Sequence, residues 1–452
     1  MILDPTQQAA VDLLQSGQNA FLTGSAGTGK STVTTAFVSS ALRKVDIAAS
    51  TGIAAINLRD QYAARSNGRE ISIATLYRWA GFGLGPKPGQ SHESFWDWWR
   101  TPMSRHKMSC LNRIRAAECL VIDEVSMIPG RILSYLDYHC RKIRHIEEPF
   151  GGIQVICCGD FLQLGPVDKE GTGYDWAFLT KTWQEADFKA AVLTKVHRQD
   201  EQEFIDLLND FRMGRIGPRS MASMATRVAP FTSSSIPRLF THNMAVDKWN
   251  RSQLENLPGE TTELKAIITG DDQHQREWLI KNLVTPTNLQ LRIGARVMVT
   301  ANITREGEMI ASNGTMGTLT SINPSGLLLT ITTDEGSLLT LDRSMWDFDP
   351  QEVHTAKFYQ FPLRLAWAST IHKAQGLTLK EAVIDIRSAR EPGQAYVALS
   401  RVRTLSGLHL KAVPAGVYTS PAAVAYHEGL ANAPLTPTAP AVTAPPPSTC
   451  LY

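Results

Sequence analysis

Residues 20–31, AFLTGSAGTGKS, decide the fold of this chain. The run at 20–23 is apolar, as in a buried strand, and residues 32–42 continue with a helical pattern. Between them lies a match to the phosphate-loop pattern G-x-x-x-x-G-K-[ST]: Gly24, Ser25, Ala26, Gly27, Thr28, Gly29, Lys30 and Ser31. Glycines let backbone N–H groups converge on phosphate oxygens, and the helix N-terminus adds a partial positive charge. The stretch predicts a nucleotide site in which Lys30 reaches the β- and γ-phosphates and Ser31 ligates Mg²⁺.

A second apolar run, residues 119–123, ends in a pair of carboxylates. Asp123 is suited to hold Mg²⁺ through water, and Glu124 to orient and deprotonate the attacking water. A glutamate at this point favours hydrolysis over transfer of the phosphoryl group to a substrate. The chain has no Asn-Lys-x-Asp motif for reading guanine, which counts against a GTPase.

The composition is that of an ordinary globular protein. The 452 residues predict two to four domains, at roughly 100–200 residues per domain. Lys and Arg total 45 and Asp and Glu total 43, and this net charge of +2 excludes a histone-like polycation and an acidic disordered protein. No apolar run approaches the ~18 residues that span a bilayer. The first twenty residues lack Lys and Arg, so we expect no signal or transit peptide. We expect a cytoplasmic protein with no membrane contact, whose cysteines are reduced thiols: Cys110, Cys119, Cys140, Cys157, Cys158 and Cys450.

The order of the apolar runs predicts an α/β fold with two parallel sheets. Further runs at 45–49 and 155–158 each lead into a polar loop, which is typical of parallel strands covered on both faces. Ligands bind beyond the carboxyl ends of such strands. A second α/β pattern begins at 191–193 and continues at 239–241, 365–367 and 383–386. Short β-rich runs between residues 296 and 341, separated by turn signals, predict a small antiparallel barrel inserted into the second core.

These patterns suggest a division of the chain. The first core spans residues 1–185 and carries an insertion at 82–110, while the second core spans 186–260 and 361–430. The inserted barrel spans 261–360. Residues 431–452 are a Pro-rich tail, which is either a solvated terminus or a segment that docks on another protein.

Eight ordered segments carry a resemblance to a known family. They read LDPTQ (3–7), GSAGTGKS (24–31), TGIAA (51–55), IDEVSM (122–127), GDFLQL (159–164), VHRQ (196–199), TIHKAQG (370–376) and YVALSR (396–401). On these motifs the chain resembles the Pif-type (petite integration frequency) group of superfamily 1 DNA helicases. The resemblance implies two RecA-like parallel-sheet P-loop NTPase cores, with a small wedge insertion in the first and a small β-barrel insertion in the second. It also implies an ATP-driven helicase that moves 5′→3′ on single-stranded DNA and unwinds duplex or forked DNA.

The resemblance also implies roles for individual residues. Gln7 would pair with the adenine edge and favour ATP, and Gln163 would bond the γ-phosphate or the attacking water. Arg198 and Arg401 would approach the phosphates from the second core as arginine fingers, which accelerate other NTPases on the order of 10³–10⁵-fold. The remaining positions implied are Gln375 and Gly376 at the nucleotide and, at the DNA, Thr51, Gly52, Thr75, Thr370, His372 and Lys373.

Two segments depart from the family pattern. Thr75-Leu76-Tyr77-Arg78 stands where the family has Thr-[Ile/Leu]-His-Ser, so the histidine to which a DNA contact is usually assigned is replaced. The motif at 159–164 continues with Gly165-Pro166, where two prolines are common. The glutamine motif so near residue 1 suits a minimal bacterial or phage protein.

The sequence leaves several alternatives open. Trp96, Trp98 and Trp99 form either a wedge that splits base pairs or an anchor that holds the insertion to the core. A basic run either lines the path of the duplex or forms a solvated helix face: Arg100, Arg105, Lys107, Arg113 and Arg115. The rival functions are a translocase that remodels nucleoprotein, a DNA-binding subunit with a vestigial ATPase, and a kinase. We expect a monomer in solution.

Overall fold

The computed structural model describes most of the chain. The described residues are 3–63, 71–83, 85–87, 89–101, 105–166, 174–229, 236–305, 308–323, 325–348, 355–414 and 416–431. The Pro-rich tail assigned to 431–452 therefore lies outside the described residues from position 432 onward. In the described part of the chain, no helix combines the length and the apolar character that a membrane span requires.

The first lobe is built on a six-stranded parallel sheet with strand order β3-β2-β4-β5-β1-β6. Its strands are β1 Ala20–Gly24, β2 Val45–Ala49, β3 Ser72–Thr75, β4 Cys119–Asp123, β5 Gln154–Cys158 and β6 Lys189–Leu193. Its helices are α1 Pro5–Gln15, α2 Lys30–Ser40, α3 Gly52–Ala63, α4 Leu76–Trp79, α5 His92–Arg100, α6 Arg105–Ala116, α7 Gly130–Arg144 and α8 Lys181–Glu185. Strands β1, β2 and β5 are buried along their whole length, as strands covered on both faces must be.

The strands predicted at 20–23, 45–49, 119–123 and 155–158 all lie in this sheet. The prediction that a second α/β pattern begins at 191–193 is wrong. Strand β6 pairs in parallel with β1, with Gly24 opposite Leu193, and so forms the edge of the first sheet. The apolar run at 191–193 is typical of either lobe, and only the pairing partner decides between them.

The insertion at 82–110 folds as α5 and part of α6, packed on the first lobe. Phe95 and Trp99 are buried in the core of that lobe, and the Trp99 indole N–H donates to the carbonyl oxygen of Gly81 at 2.9 Å. Trp98 is different, since 51% of its surface is exposed. Trp99 therefore anchors the segment to the core, whereas Trp98 stays half exposed and the wedge alternative remains a prediction.

The chain continues with α9 Gln202–Met213, α10 Pro218–Ala225, β7 Arg238–Phe240 and α11 Asn243–Glu255. An antiparallel region follows, with β8 Thr262–Lys265, β9 Ile267–Thr269, α12 Gln273–Asn282, β10 Asn288–Leu291, β11 Arg296–Val299, β12 Ile303–Arg305, β13 Glu308–Ala311, β14 Met316–Ile322, β15 Leu329–Thr333, β16 Leu338–Leu341, β17 Ser344–Asp347, β18 Lys357–Gln360 and β19 Leu363–Leu365. Its largest sheet has the order β16-β15-β14-β11-β19. Strand β19 pairs with β11, so the predicted second-core strand at 365–367 is corrected: its first residue ends the inserted sheet.

The second lobe has a four-stranded parallel sheet with the order β20-β7-β21-β22. Its remaining elements are β20 Ala368–Thr370, β21 Ala382–Ile384, α13 Gln394–Leu399 and β22 Leu408–Leu410. The last described helix is α14 Pro421–Ala431. The sequence analysis assigned this part of the chain to the second core, but the helix packs on the first lobe, so that boundary is corrected too. The ring of Tyr426 stacks on Phe178 at 4.4 Å, and its hydroxyl accepts a hydrogen bond from the Trp183 indole at 3.0 Å. The other domain boundaries stay predictions.

Candidate functional site

The phosphate-loop sequence forms a tight turn between β1 and α2. Gly27 and Gly29 have φ values of 85° and 86°, a left-handed conformation that glycine adopts at little cost. Helix α2 begins at Lys30, whose ammonium donates to the carbonyl oxygens of Gly24 at 2.9 Å and Ser25 at 3.1 Å. The next side chain, Ser31, is exposed. The loop thus offers backbone donors, an ammonium and a hydroxyl at one helix N-terminus, which is the donor set that a magnesium-bound triphosphate requires.

Gln7 lies directly against this loop. Its side chain and that of Asp4 form a capping box at the start of α1, in which the amide oxygen accepts from the Asp4 backbone N–H. The Gln7 amide nitrogen donates to the Thr28 carbonyl oxygen at 3.2 Å. Gln7 therefore bridges the N-terminal helix and the phosphate loop, beside His197 from the segment that follows β6.

The two carboxylates at the end of β4 lie beside the loop. Burial raises the pKa of Asp123, against the opposing charge of Lys30. Burial and the neighbouring charge of Asp123 raise the pKa of Glu124 to about 7, and the positive charges of Lys30 and Arg401 act in the opposite direction. One oxygen of Glu124 is buried without a hydrogen-bond partner among the described residues, although most such atoms in proteins are paired. This orphaned oxygen and the neighbouring carboxylate of Asp123 fit a site that takes up a hydrated cation and a water molecule.

Gln163 belongs to a buried network that joins the two lobes. Its amide nitrogen donates to Asp160 at 3.2 Å. Arg212 of α9 makes a two-point ion pair with the same carboxylate, at 3.0 and 2.9 Å, and approaches the imidazole of His427 in α14 at 3.2 Å. Burial raises the pKa of Asp160, but the charge and hydrogen bonds of Arg212 outweigh it and lower that pKa. Separating the two partners would leave a buried charge uncompensated, which is costly. The network therefore holds Gln163 in place and fixes the position of one lobe against the other.

The second lobe contacts the phosphate loop at two points, and a third residue, Arg401, acts on Glu124 through its charge. The Tyr396 hydroxyl accepts a hydrogen bond from the backbone N–H of Ala26 at 2.7 Å. Arg198 packs on Gly27 so closely that a Cβ on this glycine would lie 2.5 Å from the Cβ of Arg198. Arg401 is 2% exposed and donates to the Val397 carbonyl oxygen at 2.7 Å.

Arg198 and Arg401 lie close to each other in this cleft. Burial and the nearby charge of Arg198 lower the pKa of Arg401 to about 9, and desolvation also lowers the pKa of Arg198. Arg198 lies against the phosphate loop and the charge of Arg401 acts on Glu124, and among the described residues no carboxylate is bonded to either cation. An anion bound between the lobes would neutralise the charges of these two arginines.

The predicted DNA-contacting threonines share one local geometry. Thr75 and Thr370 are the last residues of parallel strands and Thr51 lies two residues after one, and each side chain accepts a hydrogen bond from the backbone N–H three residues later, at 3.2 to 3.3 Å. They therefore cap the turns that follow β2, β3 and β20. Two of these turns belong to the first lobe and one to the second, so the candidate DNA-binding positions lie on both.

The other predicted DNA positions have neighbours of their own. Gly52 lies flush against Asn282 of α12, since a Cβ on the glycine would lie 2.7 Å from that of Asn282. His372 lies 3.2 Å from Glu391. The replaced histidine position, Tyr77, packs edge-on against Phe82. The next residue, Arg78, places its guanidinium 4.3 Å from the centre of the Phe348 ring in the inserted region.

Gln375 and Gly376 lie in the loop after β20. The Gln375 amide nitrogen is buried with no hydrogen-bond partner in the described part of the chain, and Gly376 has a φ of 82°. Sequence reasoning missed Asp160, Arg212 and Tyr396 as site residues. Asp160 and Tyr396 stand inside quoted motifs and were within reach, whereas nothing local distinguishes Arg212.

Solved structures share this arrangement over nearly the whole chain. The crystal structure of Bacteroides sp. Pif1 in complex with ADP-AlF4 has a TM-score of 0.76 and 29% identity, covering 95% of this chain and 97% of that one. The crystal structure of Bacteroides Pif1 bound to ssDNA has a TM-score of 0.65 and 29% identity, with the same coverage. The fold and the site thus define an ATP-hydrolysing enzyme of the helicase class with two RecA-like domains.

Sequence comparison gives the particular family. The model of the PIF1-like helicase family matches residues 101–221. The ATP-dependent DNA helicase Pif1 of Bdellovibrio bacteriovorus is 35% identical over 415 residues, which cover 90% of this chain and 87% of that protein. This chain belongs to the PIF1-like helicase family, and the sequence-based identification is confirmed.

Proposed function

We propose that this protein is an ATP-dependent DNA helicase that translocates 5′→3′ on single-stranded DNA and unwinds duplex or forked DNA. The observation that carries the proposal is the junction of the lobes at the phosphate loop, where Tyr396 bonds Ala26 and Arg198 packs on Gly27. Because the nucleotide site is completed by residues of both lobes, nucleotide binding and release change how the lobes fit together. Candidate strand-binding positions on both lobes then move relative to each other.

The residues divide the chemistry among them. Bound ATP and Mg²⁺ supply the bond that is cleaved and the charge that polarises it, and Ser31 and Asp123 are the residues that would hold the metal. Lys30 and the loop N–H groups bind the phosphates, and Glu124 orients the attacking water. Gln163 detects the γ-phosphate through the Asp160–Arg212 network, while Arg198 and Arg401 stabilise the transition-state charge.

The polarity is tested with matched duplexes that carry either a 5′ or a 3′ single-stranded tail. We expect ATP-dependent strand separation with the 5′ tail and none with the 3′ tail, because the strand is gripped in one orientation across the lobes. Strand-stimulated phosphate release is measured alongside. Equal unwinding of both substrates would reject the polarity, and phosphate release without unwinding would favour the translocase alternative. The same samples, run through analytical ultracentrifugation, test the proposed monomer.

The exposed Trp98 is the part of the insertion that we assign to strand separation. Its ring stacks on Phe95 at 5.4 Å and lies 4.8 Å from the Lys107 ammonium, so it is held in place while half of its surface is open. A ring stacked on a base contributes about 1–3 kcal/mol, comparable with the ~1.4 kcal/mol of one duplex stacking step. We expect Trp98→Ala to lower the unwinding rate about tenfold, with single-strand translocation unchanged.

Two further variants separate this role from a structural one. Trp98→Phe keeps a stacking ring and should restore most of the unwinding rate. Trp99→Ala removes a fully buried ring and should cost about 3–5 kcal/mol of folding free energy, measured by urea unfolding. If Trp98→Ala slows translocation and unwinding equally, the wedge assignment is wrong.

A further inference from the structure

Arg364 lies at the junction of the inserted sheet and the second lobe. It is the central residue of β19, where it stands opposite Met298 of β11. The side chain is 9% exposed, and one terminal nitrogen donates to the Ser369 hydroxyl of β20 at 2.9 Å. Its Nε is buried and has no hydrogen-bond partner among the described residues.

The charge of Arg364 is uncompensated. In the described part of the chain, no aspartate or glutamate pairs with it, and burial lowers its pKa to about 10. Two other arginines with little exposure show the usual arrangement. Arg212 pairs with Asp160, and Arg296, on the strand next to β19, pairs with both oxygens of Asp334. A buried charge without a partner costs several kcal/mol, so its retention calls for a physical reason.

The surroundings of Arg364 add positive charge. Ser369 lies one residue before Thr370, with which the TIHKAQG loop begins, and Lys373 lies in that loop. Desolvation and the charge of Arg364 both lower the pKa of Lys373, and Asp247 of α11 opposes them only in part. Arg364 and the Ser369 hydroxyl thus meet at the border of β19 and β20, and Lys373 follows four residues later in the loop after β20. Such a set of donors matches an anion with several oxygens.

We infer that Arg364 belongs to a phosphate-binding site that holds a backbone phosphodiester of single-stranded nucleic acid, together with Lys373 and the Ser369 hydroxyl. The inference rests on the proposed function and assigns a part of the strand path to the border of the inserted region. The bound phosphate compensates the arginine charge, and the arginine is kept unpaired within the protein for that purpose.

The test is the salt dependence of single-strand binding by full-length protein. Arg364→Met keeps the length and apolar character of the side chain and removes its charge. Affinity for a fluorescent oligonucleotide is measured from about 50 to 300 mM NaCl, a range over which the loss of phosphate contacts changes the affinity measurably. We expect the variant to bind about tenfold more weakly. We also expect the slope of log K against log salt to become shallower by about 0.7, the loss of one phosphate contact.

A matched control lies on the neighbouring strand. Arg296→Met removes a charge that Asp334 already neutralises, so its slope should equal that of the wild type. Thermal unfolding without nucleic acid gives a second readout: Arg364→Met should unfold at a higher temperature than wild type, because an uncompensated buried charge has been removed. If the methionine variant does not fold, Arg364→Gln, which still hydrogen-bonds to Ser369, replaces it.

The outcomes separate this inference from the proposed function. A wild-type slope in the Arg364 variant overturns the phosphate site and leaves the helicase proposal standing, whether or not the affinity changes. Weaker binding with an unchanged slope and a lower unfolding temperature identifies a structural role, and also overturns it. Absence of strand binding by the wild-type protein contradicts the proposed function itself. Inorganic phosphate added up to about 20 mM should not displace the oligonucleotide from the wild type or the variant, since a free ion lacks the contacts that the neighbouring nucleotides make.

Discussion

Replacing Lys30 with alanine is expected to lower strand-stimulated ATP hydrolysis by about 10³-fold or more while the fold persists. Among the described residues, the ammonium donates to the carbonyl oxygens of Gly24 and Ser25, and a hydrogen bond from the Thr28 hydroxyl to the Ser25 carbonyl oxygen holds the loop independently. The variant therefore loses the cation that binds the phosphates but keeps the turn. Phosphate release with saturating single-stranded DNA is the measurement.

Lys44 provides the control for this variant. It is an exposed lysine of the same lobe, just before β2, and lies outside the phosphate loop. Lys44→Ala should hydrolyse ATP at the wild-type rate. Circular dichroism and thermal unfolding should coincide for all three proteins. Appreciable turnover by the Lys30 variant would reject the assignment of the phosphate loop.

The second large effect is expected for Arg401→Ala. The variant should bind ATP with near-normal affinity and hydrolyse it on the order of 10³–10⁵-fold more slowly, as when an arginine finger is lost. The reason is that Arg401 comes from the second lobe and its charge acts on Glu124, where the reaction would take place. Fluorescent-nucleotide binding and single-turnover hydrolysis separate the two steps.

Because Arg401 is buried and bonded to the Val397 carbonyl oxygen, its removal also tests packing. Arg401→Lys keeps a charge and most of the volume, so it should fold normally and still hydrolyse slowly. Arg403, two residues further on and exposed, is the matched control and should leave hydrolysis unchanged when replaced by alanine. Full activity of the Arg401 variants would exclude this residue from the mechanism.

Local patterns predicted the features that are local in origin. The phosphate loop and the carboxylates at the end of β4 follow from a few consecutive residues, because glycine conformation and strand burial are decided within short segments. The same holds for four strands of the first sheet, β1, β2, β4 and β5, whose apolar runs are continuous. The family motifs extended this knowledge to Arg198 and Arg401, which lie far from the loop in sequence.

The features that sequence missed are those decided by long-range pairing. Strand β6 and helix α14 join the first lobe through partners more than one hundred residues away. Phe21 is such a partner for both, because it pairs with β6 and its ring contacts Tyr426 of α14. Nothing in an apolar run specifies which sheet edge it will extend. The Asp160–Arg212 pair is of the same kind, because its two charges come from different lobes and no local motif marks Arg212.

The segment that connects the first lobe to the second is very short. Leu193 stands beside Gly24 in the sheet, and Arg198 already packs on Gly27, so only residues 194–197 connect them. Four residues span at most about 14 Å when fully extended. The backbone N–H of His197 is also tied to the Gly27 carbonyl oxygen at 2.8 Å. The connector at 194–197 is therefore short and bonded directly to the nucleotide site. A shift of the phosphate loop is passed through it to the second lobe.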